Sequence, residues 1–145
     1  MWRTAGLLAG LLLAVGASGC SRFEPEEYRP YAPGAEIRAW WDEDVACSGR
    51  QGNFDRIQWF VVPGESFECP GGTCLGRWET NHRIYIAEAW ITSPLVVRHE
   101  MLHELLDGGG HPAVPFENPC ALTWDSWRGE GSSLVAELRR VVRID

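Results

Sequence analysis

Residues 94–107 decide the fold, and they read PLVVRHEMLHELLD. Leucines recur in this stretch at helical spacing, and a Thr-Ser pair offers a capping hydroxyl just before Pro94, which takes the first helical position. The pattern predicts a helix from about Pro94 to Asp107. Three glycines follow at positions 108–110, and we expect them to end the helix, because glycine adopts the left-handed cap without steric penalty.

The same helix carries His99, Glu100 and His103 in an H-E-x-x-H arrangement. Two histidines four residues apart lie on one helical face, about 6 Å apart along the axis, so both imidazoles can reach a single zinc ion. Glu100 can then act as general base toward zinc-activated water. The competing interpretation is a solvent-facing histidine pair without metal, although chance produces the motif in a chain of this composition only about 1% of the time.

With this motif the chain resembles the zincin metallopeptidases, the zinc proteases named for it, and more specifically small zincin-like lipoproteins of bacteria. The resemblance covers about residues 83–120. It implies hydrolysis of peptide bonds, and a sheet whose edge strand lies beside the cleft and pairs with the substrate peptide. Residues 84–87 occupy the place of that strand in the sequence.

Zincin subgroups differ in the third zinc ligand, for which the best candidate here is His111. The glycines after the helix let the chain fold back under the metal. The spacing departs from the metzincin pattern, because His111 comes two residues late and no Met follows it. Carboxylates at Asp125 and Glu130 stay open as alternatives, as in the gluzincin group. Asp107 lies ~12 Å from His99 along the helix axis, too far to join the same ion easily.

Residues 1–19 read MWRTAGLLAGLLLAVGASG, with one positive charge, an apolar run and small residues before Cys20, which is typical of an export signal. The run is shorter than the ~20 apolar residues of a transmembrane helix. The residues before Cys20 resemble a bacterial lipoprotein signal, which implies acylation of Cys20 and a membrane anchor; an ordinary secretory signal is the alternative. Residues 20–35, rich in Pro and Glu, predict a tether, and residues 36–145 form one domain.

Four cysteines remain after Cys20, an even number in an exported chain, which predicts two disulfides. We favour Cys69–Cys74, which closes a Pro-Gly-Gly-Thr turn, and Cys47–Cys120, which ties the front of the domain to the segment after the motif helix. The other pairings stay open. A four-cysteine structural zinc site is a further alternative, although the Cys-x-x-x-x-Cys spacing is not that of a zinc knuckle.

Runs rich in β-branched and aromatic residues predict strands at residues 36–41, 56–62 and 83–87, the last of them exposed. Between the second and third strands lies a glycine-rich loop bounded by cysteines, and a helix at about residues 133–142 closes the chain. We therefore predict an α+β fold, with a short mixed or antiparallel sheet packed on the motif helix, plus the C-terminal helix.

Three further residues are candidates for the site. His82 could bind charge in a transition state, but we interpret it as a loop residue, because nothing near it in the sequence supports a role. Trp124 and Trp127 could line a pocket, but we assign them to the core, because aromatic residues supply much of the buried area in a small domain.

The chain has 20 acidic and 13 basic residues and a formal net charge of −7, which argues against nucleic acid as a partner.

Together, these features of the sequence predict an exported, lipid-anchored zinc metallopeptidase of a bacterial envelope, acting on a peptide or protein. A lipoprotein that binds zinc or a partner without catalysis is the alternative. Glu100 weighs against that alternative, because binding alone needs no carboxylate beside the first ligand.

Overall fold

The structure is a computed structural model that describes residues 22–129. The predicted signal segment, Cys20 and the predicted helix at residues 133–142 lie outside the described residues. In chain order the elements are β1 (Arg29–Pro30), α1 (Ala35–Ser48), β2 (Gln58–Val62), β3 (Phe67–Cys69), β4 (Gly72–Cys74), β5 (Gly76–Glu79), β6 (Arg83–Ala87), α2 (Pro94–Leu106) and α3 (Ala113–Phe116). Mixed helices and strands confirm the predicted α+β class.

The motif helix is α2, and it begins and ends close to the predicted positions. Ser93 caps its N-terminus, with the side-chain oxygen accepting from the Val96 backbone N–H, and Pro94 takes the first turn. The left-handed residue at the C-terminus is Asp107 (φ 50°, ψ 45°) and not one of the predicted glycines. Aspartate tolerates this conformation because its short polar side chain can bond locally.

Four strands form the main sheet, in the order β1-β2-β6-β5. β2 and β6 are parallel, with Trp59 opposite Ile84, whereas β1 and β5 pair antiparallel with their neighbours. β3 and β4 form a separate hairpin. The predicted strand at residues 83–87 is present, but the prediction that it is exposed is wrong. It lies inside the sheet, and residues 84–87 are fully inaccessible because both faces of the sheet are covered.

Residues 36–41 form the first turns of α1, so the prediction of a strand there is wrong. The buried residues of this helix are Ile37, Trp41 and Asp44, at the spacing of one helical face. The aromatic and β-branched content of the stretch favours a strand locally, but burial of this face against α2 overrides that preference. Gly49 ends the helix at φ 68°, with its N–H donating to the Val45 carbonyl at 3.0 Å.

The two helices and the sheet enclose the main core. Apolar side chains of α1 and α2 pack in one cluster with Trp59, Ile84 and Ile86 from the facing side of the sheet. Within α2, Val97, Met101 and Leu102 are completely buried. The motif helix is therefore held on its apolar side by the core.

Residues 22–34, which the sequence predicts as part of a tether, cover the other face of the sheet. Phe23 and Tyr28 pack edge-on against Tyr85, with ring centroids 6.0 and 5.4 Å apart. β1 lies in the same segment and extends the sheet at β2. The aromatic side chains of this segment explain the difference, because they bury apolar area that a solvated tether would leave in water.

Both favoured disulfides are present. Cys47–Cys120 joins the last turn of α1 to the chain after α3, with Cα atoms 5.1 Å apart, and Cys69–Cys74 closes the β3–β4 hairpin. The first bond joins residues 73 positions apart in the sequence. In the loop-entropy description, this restriction of the unfolded chain stabilises the folded state by about 4 kcal/mol. These cysteines are thereby excluded as ligands of a structural zinc site. Two disulfides are typical of an oxidising, extracytoplasmic compartment.

None of the helices within residues 22–129 has the length and apolar character that crossing a membrane requires.

A buried ion pair joins α1 to α2 beside the motif. Asp44 is fully buried, and its Oδ1 accepts a hydrogen bond from Arg98 Nε at 2.9 Å. Its Oδ2 has no hydrogen-bond partner among the described residues. Burial raises the pKa of the Asp44 carboxyl to about 7, although Arg98 opposes the shift and Glu43 adds to it only slightly. The pair fixes α1 against the turn of α2 that carries His99.

We expect the Asp44→Asn substitution to remove a pH dependence of stability. The pKa of Asp44 is about 7 in the folded protein and about 4 in an unfolded chain. The folded state therefore holds an extra proton between these values, and the wild-type protein loses stability as the pH rises from 4 to 7. Measured by urea denaturation and relative to Asp44→Asn, the free energy of unfolding of the wild-type protein should fall by about 1–4 kcal/mol from pH 4 to pH 7.

The control is Asp42→Asn, on the exposed side of the same helix. It should follow the wild-type pH profile. Parallel profiles for the wild-type protein and Asp44→Asn would contradict the prediction.

Candidate metal centre

Three histidine side chains converge beside α2. His99 and His103 lie on consecutive turns of the helix, and His111 comes from the loop that follows it. The Nε2 atoms are 3.2 Å apart for His99 and His103, 2.9 Å for His99 and His111, and 3.1 Å for His103 and His111. The structure thus brings together the three histidines that the sequence predicts as metal ligands.

Backbone carbonyls orient the two helical rings. His99 Nδ1 lies 2.7 Å from the Leu122 carbonyl oxygen, and His103 Nδ1 lies 2.7 Å from that of Gly108. Because a carbonyl oxygen only accepts, each Nδ1 carries the proton and donates it. In the neutral ring, Nε2 is then left with a lone pair that faces the cluster.

Burial keeps these rings neutral. It lowers the pKa of His99 to about 3 and that of His103 to about 4, and the neighbouring histidines add to the effect. Burial also lowers the pKa of the more exposed His111. Neutral imidazoles are the form in which histidine binds metals.

The donor set fits a transition-metal ion. Ligands at the usual zinc–nitrogen distance in a tetrahedral site are about 3.3 Å apart, close to the spacing of the three Nε2 atoms. Lone pairs this close repel one another unless a cation lies between them. Three protein ligands also leave a fourth position open, as in catalytic sites. The three histidines can therefore hold a metal ion, and imidazole suits zinc, copper, nickel and iron.

Of the carboxylates considered as third ligands, the two that the structure describes lie outside this group. Asp125 lines the same cleft, but its oxygens are not among the converging donor atoms. Asp107 is exposed at the end of α2. Glu130 lies outside the described residues. Of the candidates that the structure describes, His111 is the one placed to complete the group.

Phe116 forms the floor of the histidine cluster. It is completely buried, and its ring centroid lies 4.9, 4.8 and 5.1 Å from those of His99, His103 and His111. It belongs to residues 108–122, which we call the 108–122 segment. This segment also supplies His111 and both carbonyls that orient the helical rings. Sequence analysis missed Phe116, because contact with three separate rings leaves no local pattern.

Glu100 lines the cleft together with the three histidines and faces β5. A Cβ at Gly76 of β5 would lie 2.8 Å from Glu100 Cγ and Oε1, so glycine is what allows the strand to approach this carboxyl. Burial raises the pKa of Glu100 to about 8, although the Trp78 backbone and Arg77 oppose the shift. A cation held by the histidines would lower this pKa, because it favours the charged carboxylate.

The strand beside the cleft is β5, so the assignment of residues 84–87 as the edge strand is wrong. β6 is hydrogen-bonded on both sides, whereas β5 pairs on one side among the described strands and lines the cleft. β3, β4 and β5 all lie in the stretch predicted as a glycine-rich loop. Strands of three or four residues containing glycine are too short and too weakly patterned to be recognised in sequence.

The cleft has a volume of about 700 Å³. β5 forms one wall, and residues 122–125 form the other. Leu95 and Val96 add apolar surface from α2. Trp124 is half-buried, lines the cleft and packs edge-on against Trp90, so its assignment to the core holds only in part. Trp127 is buried in the core, as predicted.

The buried carboxylate of Glu104, next to His103 on α2, is the centre of a polar cluster. The carboxylate accepts hydrogen bonds from Trp78 Nε1 at 2.6 Å, from His82 Nδ1 at 2.9 Å and from Arg56 Nε at 3.3 Å. Trp78 in turn stacks on the His103 ring, with centroids 6.2 Å apart. His82 lies in a turn, as predicted, but its hydrogen bond to Glu104 gives it a structural role. The Glu104 cluster ties β5 to α2.

Sequence analysis also missed Glu104, although a signal was present. A carboxylate between Leu102 and Leu105, on the apolar side of a helix, requires buried partners.

Comparison of the chain with protein-family models, with curated proteins and with solved structures finds no match. The site is therefore interpreted from its own residues. Those residues are three neutral imidazoles that can hold a metal ion and one buried carboxyl, in a cleft beside a strand at the edge of the described sheet.

We expect Glu104→Ala to lower the free energy of unfolding by about 2–4 kcal/mol, because it leaves the buried Trp78 Nε1 donor and the partly buried His82 Nδ1 donor without their acceptor. Urea denaturation of the metal-free protein, followed by circular dichroism, measures this loss. Glu117→Ala, at an exposed position, is the control and should cost less than about 0.5 kcal/mol. Equal losses of stability in Glu104→Ala and Glu117→Ala would refute the conclusion that Glu104 holds β5 against α2.

Proposed function

We propose that the protein is a zinc-dependent metallopeptidase that hydrolyses peptide bonds in a peptide or protein substrate. The observation that carries the proposal is the position of Glu100, in one cleft with three converging histidines. Hydrolytic metal sites need both parts, because the ligands must leave a coordination position open and a base must lie beside it. The resemblance of the H-E-x-x-H motif to that of the zincins supports the same reaction.

Zinc is the metal we propose. The near-equal Nε2 spacing of the histidines suits tetrahedral coordination, which zinc adopts readily. Zinc also has no redox chemistry of its own, so it is compatible with an oxidising compartment. When bound, it supplies a Lewis acid that polarises the scissile carbonyl and lowers the pKa of water.

Glu100 is the proposed general base. Its carboxylate accepts a proton from the attacking water and later donates that proton to the leaving amine. Gly76 keeps β5 close to this carboxyl, so a peptide lying along the strand would bring its carbonyl group near Glu100.

β5 is the proposed binding strand for the substrate. An extended peptide can pair with the outer edge of this strand through main-chain hydrogen bonds. The Glu104 cluster holds β5 through Trp78, and so fixes the distance between the bound peptide and the histidines. Trp124 and Val96 offer apolar surface for side chains of the substrate.

We also propose export and a lipid anchor at Cys20, as the resemblance of the leader implies. The two disulfides support export, because such bonds persist in oxidising compartments. Phe23, which packs on the sheet, follows Cys20 by three positions. The anchor would therefore hold the domain close to the membrane surface.

The purified protein should bind one zinc ion per chain, and the His99→Ala/His103→Ala double variant should bind none. His111→Ala should weaken binding by more than the 10–100-fold that loss of an orienting partner typically costs. His82→Ala is the matched control and should retain zinc, because His82 contacts Glu104 and lies outside the ligand group. Elemental analysis after gel filtration, with copper and nickel included, measures the metal content. Full retention of zinc by His111→Ala would rule it out as the third ligand.

Glu100→Gln should retain zinc and lose peptide hydrolysis by about 10²–10⁴-fold, the usual contribution of a positioned base. The assay is cleavage of a peptide library by the zinc-loaded protein, followed by mass spectrometry. An unchanged rate in Glu100→Gln would refute the assignment of the base. A wild-type protein that binds zinc and cleaves no peptide would instead favour the non-enzymatic zinc-binding lipoprotein.

A further inference from the structure

The disulfide Cys47–Cys120 fastens to α1 the segment that supplies His111, and the proposed reaction does not use this bond. Cys120 is near the end of the 108–122 segment, which supplies His111, the Phe116 floor and the two orienting carbonyls. The third histidine, the Phe116 ring beneath the cluster and both orienting carbonyls therefore come from one short stretch of chain.

This segment is fastened at its two ends by different means. At its beginning, the Gly108 N–H donates to the His103 carbonyl at the end of α2. At its far end, Cys120 is bonded to Cys47 of α1. The backbone–backbone hydrogen bonds of residues 109–122 stay inside the segment, as from Cys120 N–H to the Pro115 carbonyl and from Leu122 N–H to the Phe116 carbonyl. The disulfide is thus the covalent link between the far end and the helices.

Leu122 follows Cys120 by two positions, and its carbonyl accepts a hydrogen bond from His99 Nδ1 at 2.7 Å. That hydrogen bond sets the tautomer and the direction of the His99 ring, and such orienting partners contribute about 10–100-fold to metal affinity. A loosened Cys120 would let the Leu122 carbonyl move away from His99. The same motion would release Phe116 and His111, which share the segment.

We propose that the Cys47–Cys120 disulfide controls the metal affinity of the three histidines, so that the protein holds its metal tightly only after these two cysteines are oxidised. The inference rests on the proposed metal site. Oxidation removes one electron and one proton from each thiol and transfers them to an external disulfide, which becomes two thiols. Metal loading would then follow export, because the cytoplasm keeps thiols reduced.

The second disulfide offers a matched control within the same chain. Cys69–Cys74 closes the β3–β4 hairpin, and Cys74 borders the cleft. Neither cysteine belongs to the 108–122 segment. Loss of this bond therefore removes a disulfide near the cleft without releasing the partners of His99, His103 or His111.

The first measurement is the dissociation constant for zinc, obtained by competition with a chromophoric chelator. Cys47→Ser/Cys120→Ser should bind zinc about 10–100-fold more weakly than the wild-type protein. Cys69→Ser/Cys74→Ser should stay within about twofold of the wild-type value. Equal weakening in the two variants would overturn the inference, because it would reflect a general loss of stability.

The second measurement uses the wild-type protein, so it does not depend on whether a variant folds. Coupling between binding sites is reciprocal, so zinc should make Cys47–Cys120 harder to reduce by the same 10–100-fold factor. The protein is equilibrated in glutathione buffers, where two glutathione thiols become one glutathione disulfide for each protein disulfide reduced. Alkylation and mass spectrometry then give the reduced fraction of each bond, with and without excess zinc.

Zinc should shift the reduction of Cys47–Cys120 and leave that of Cys69–Cys74 unchanged. The shift should vanish in His99→Ala/His103→Ala. If zinc binds the wild-type protein but leaves Cys47–Cys120 reduction unchanged, the inference fails and the proposed metal site stands. If the wild-type protein binds no zinc, both fail.

Discussion

The arrangement of the candidate site depends on two hydrogen bonds from imidazole rings to backbone carbonyls. His99 donates to Leu122 and His103 donates to Gly108, and each bond turns the Nε2 lone pair of its ring toward the same point. His111 then completes a triangle of nitrogens about 3 Å on a side. Because burial disfavours protonation of these rings, a metal cation is the natural partner for the three lone pairs.

These bonds place demands on the rest of the domain. The carbonyls belong to an irregular segment, so the fold has to hold that segment by other means, which are the buried ring of Phe116 and the bond from Cys120 to Cys47. The motif helix also carries charged side chains on buried faces. Hydrogen-bond donors of Trp78, His82 and Arg56 offset the free-energy cost of burying the Glu104 carboxylate. A domain this small has limited apolar area to offset such groups, and its disulfides compensate by restricting the unfolded chain.

The same contacts position the groups that the proposed reaction uses. Glu104 fastens the edge strand β5 to the helix, and Gly76 lets that strand come within contact distance of the Glu100 carboxyl. The substrate backbone, the base and the metal ligands would then keep fixed positions relative to one another. This arrangement favours a substrate peptide bound in extended form. Positioning of this kind supplies a large part of the rate enhancement in many enzymes.

The sequence by itself predicted the motif helix, its capping hydroxyl before Pro94, the strand at residues 83–87 and two disulfides, because each rests on local spacing, composition or an even count of thiols. It favoured the cysteine pairing that the structure has, although the other pairings were open. It also pointed to His111, although a carboxylate was an open alternative. Only the tertiary structure decided that residues 36–41 are helical, that β5 rather than β6 borders the cleft, and that Leu122 orients His99. These features arise from contacts between residues far apart in the chain, which override local preference and leave no periodic signal in the sequence.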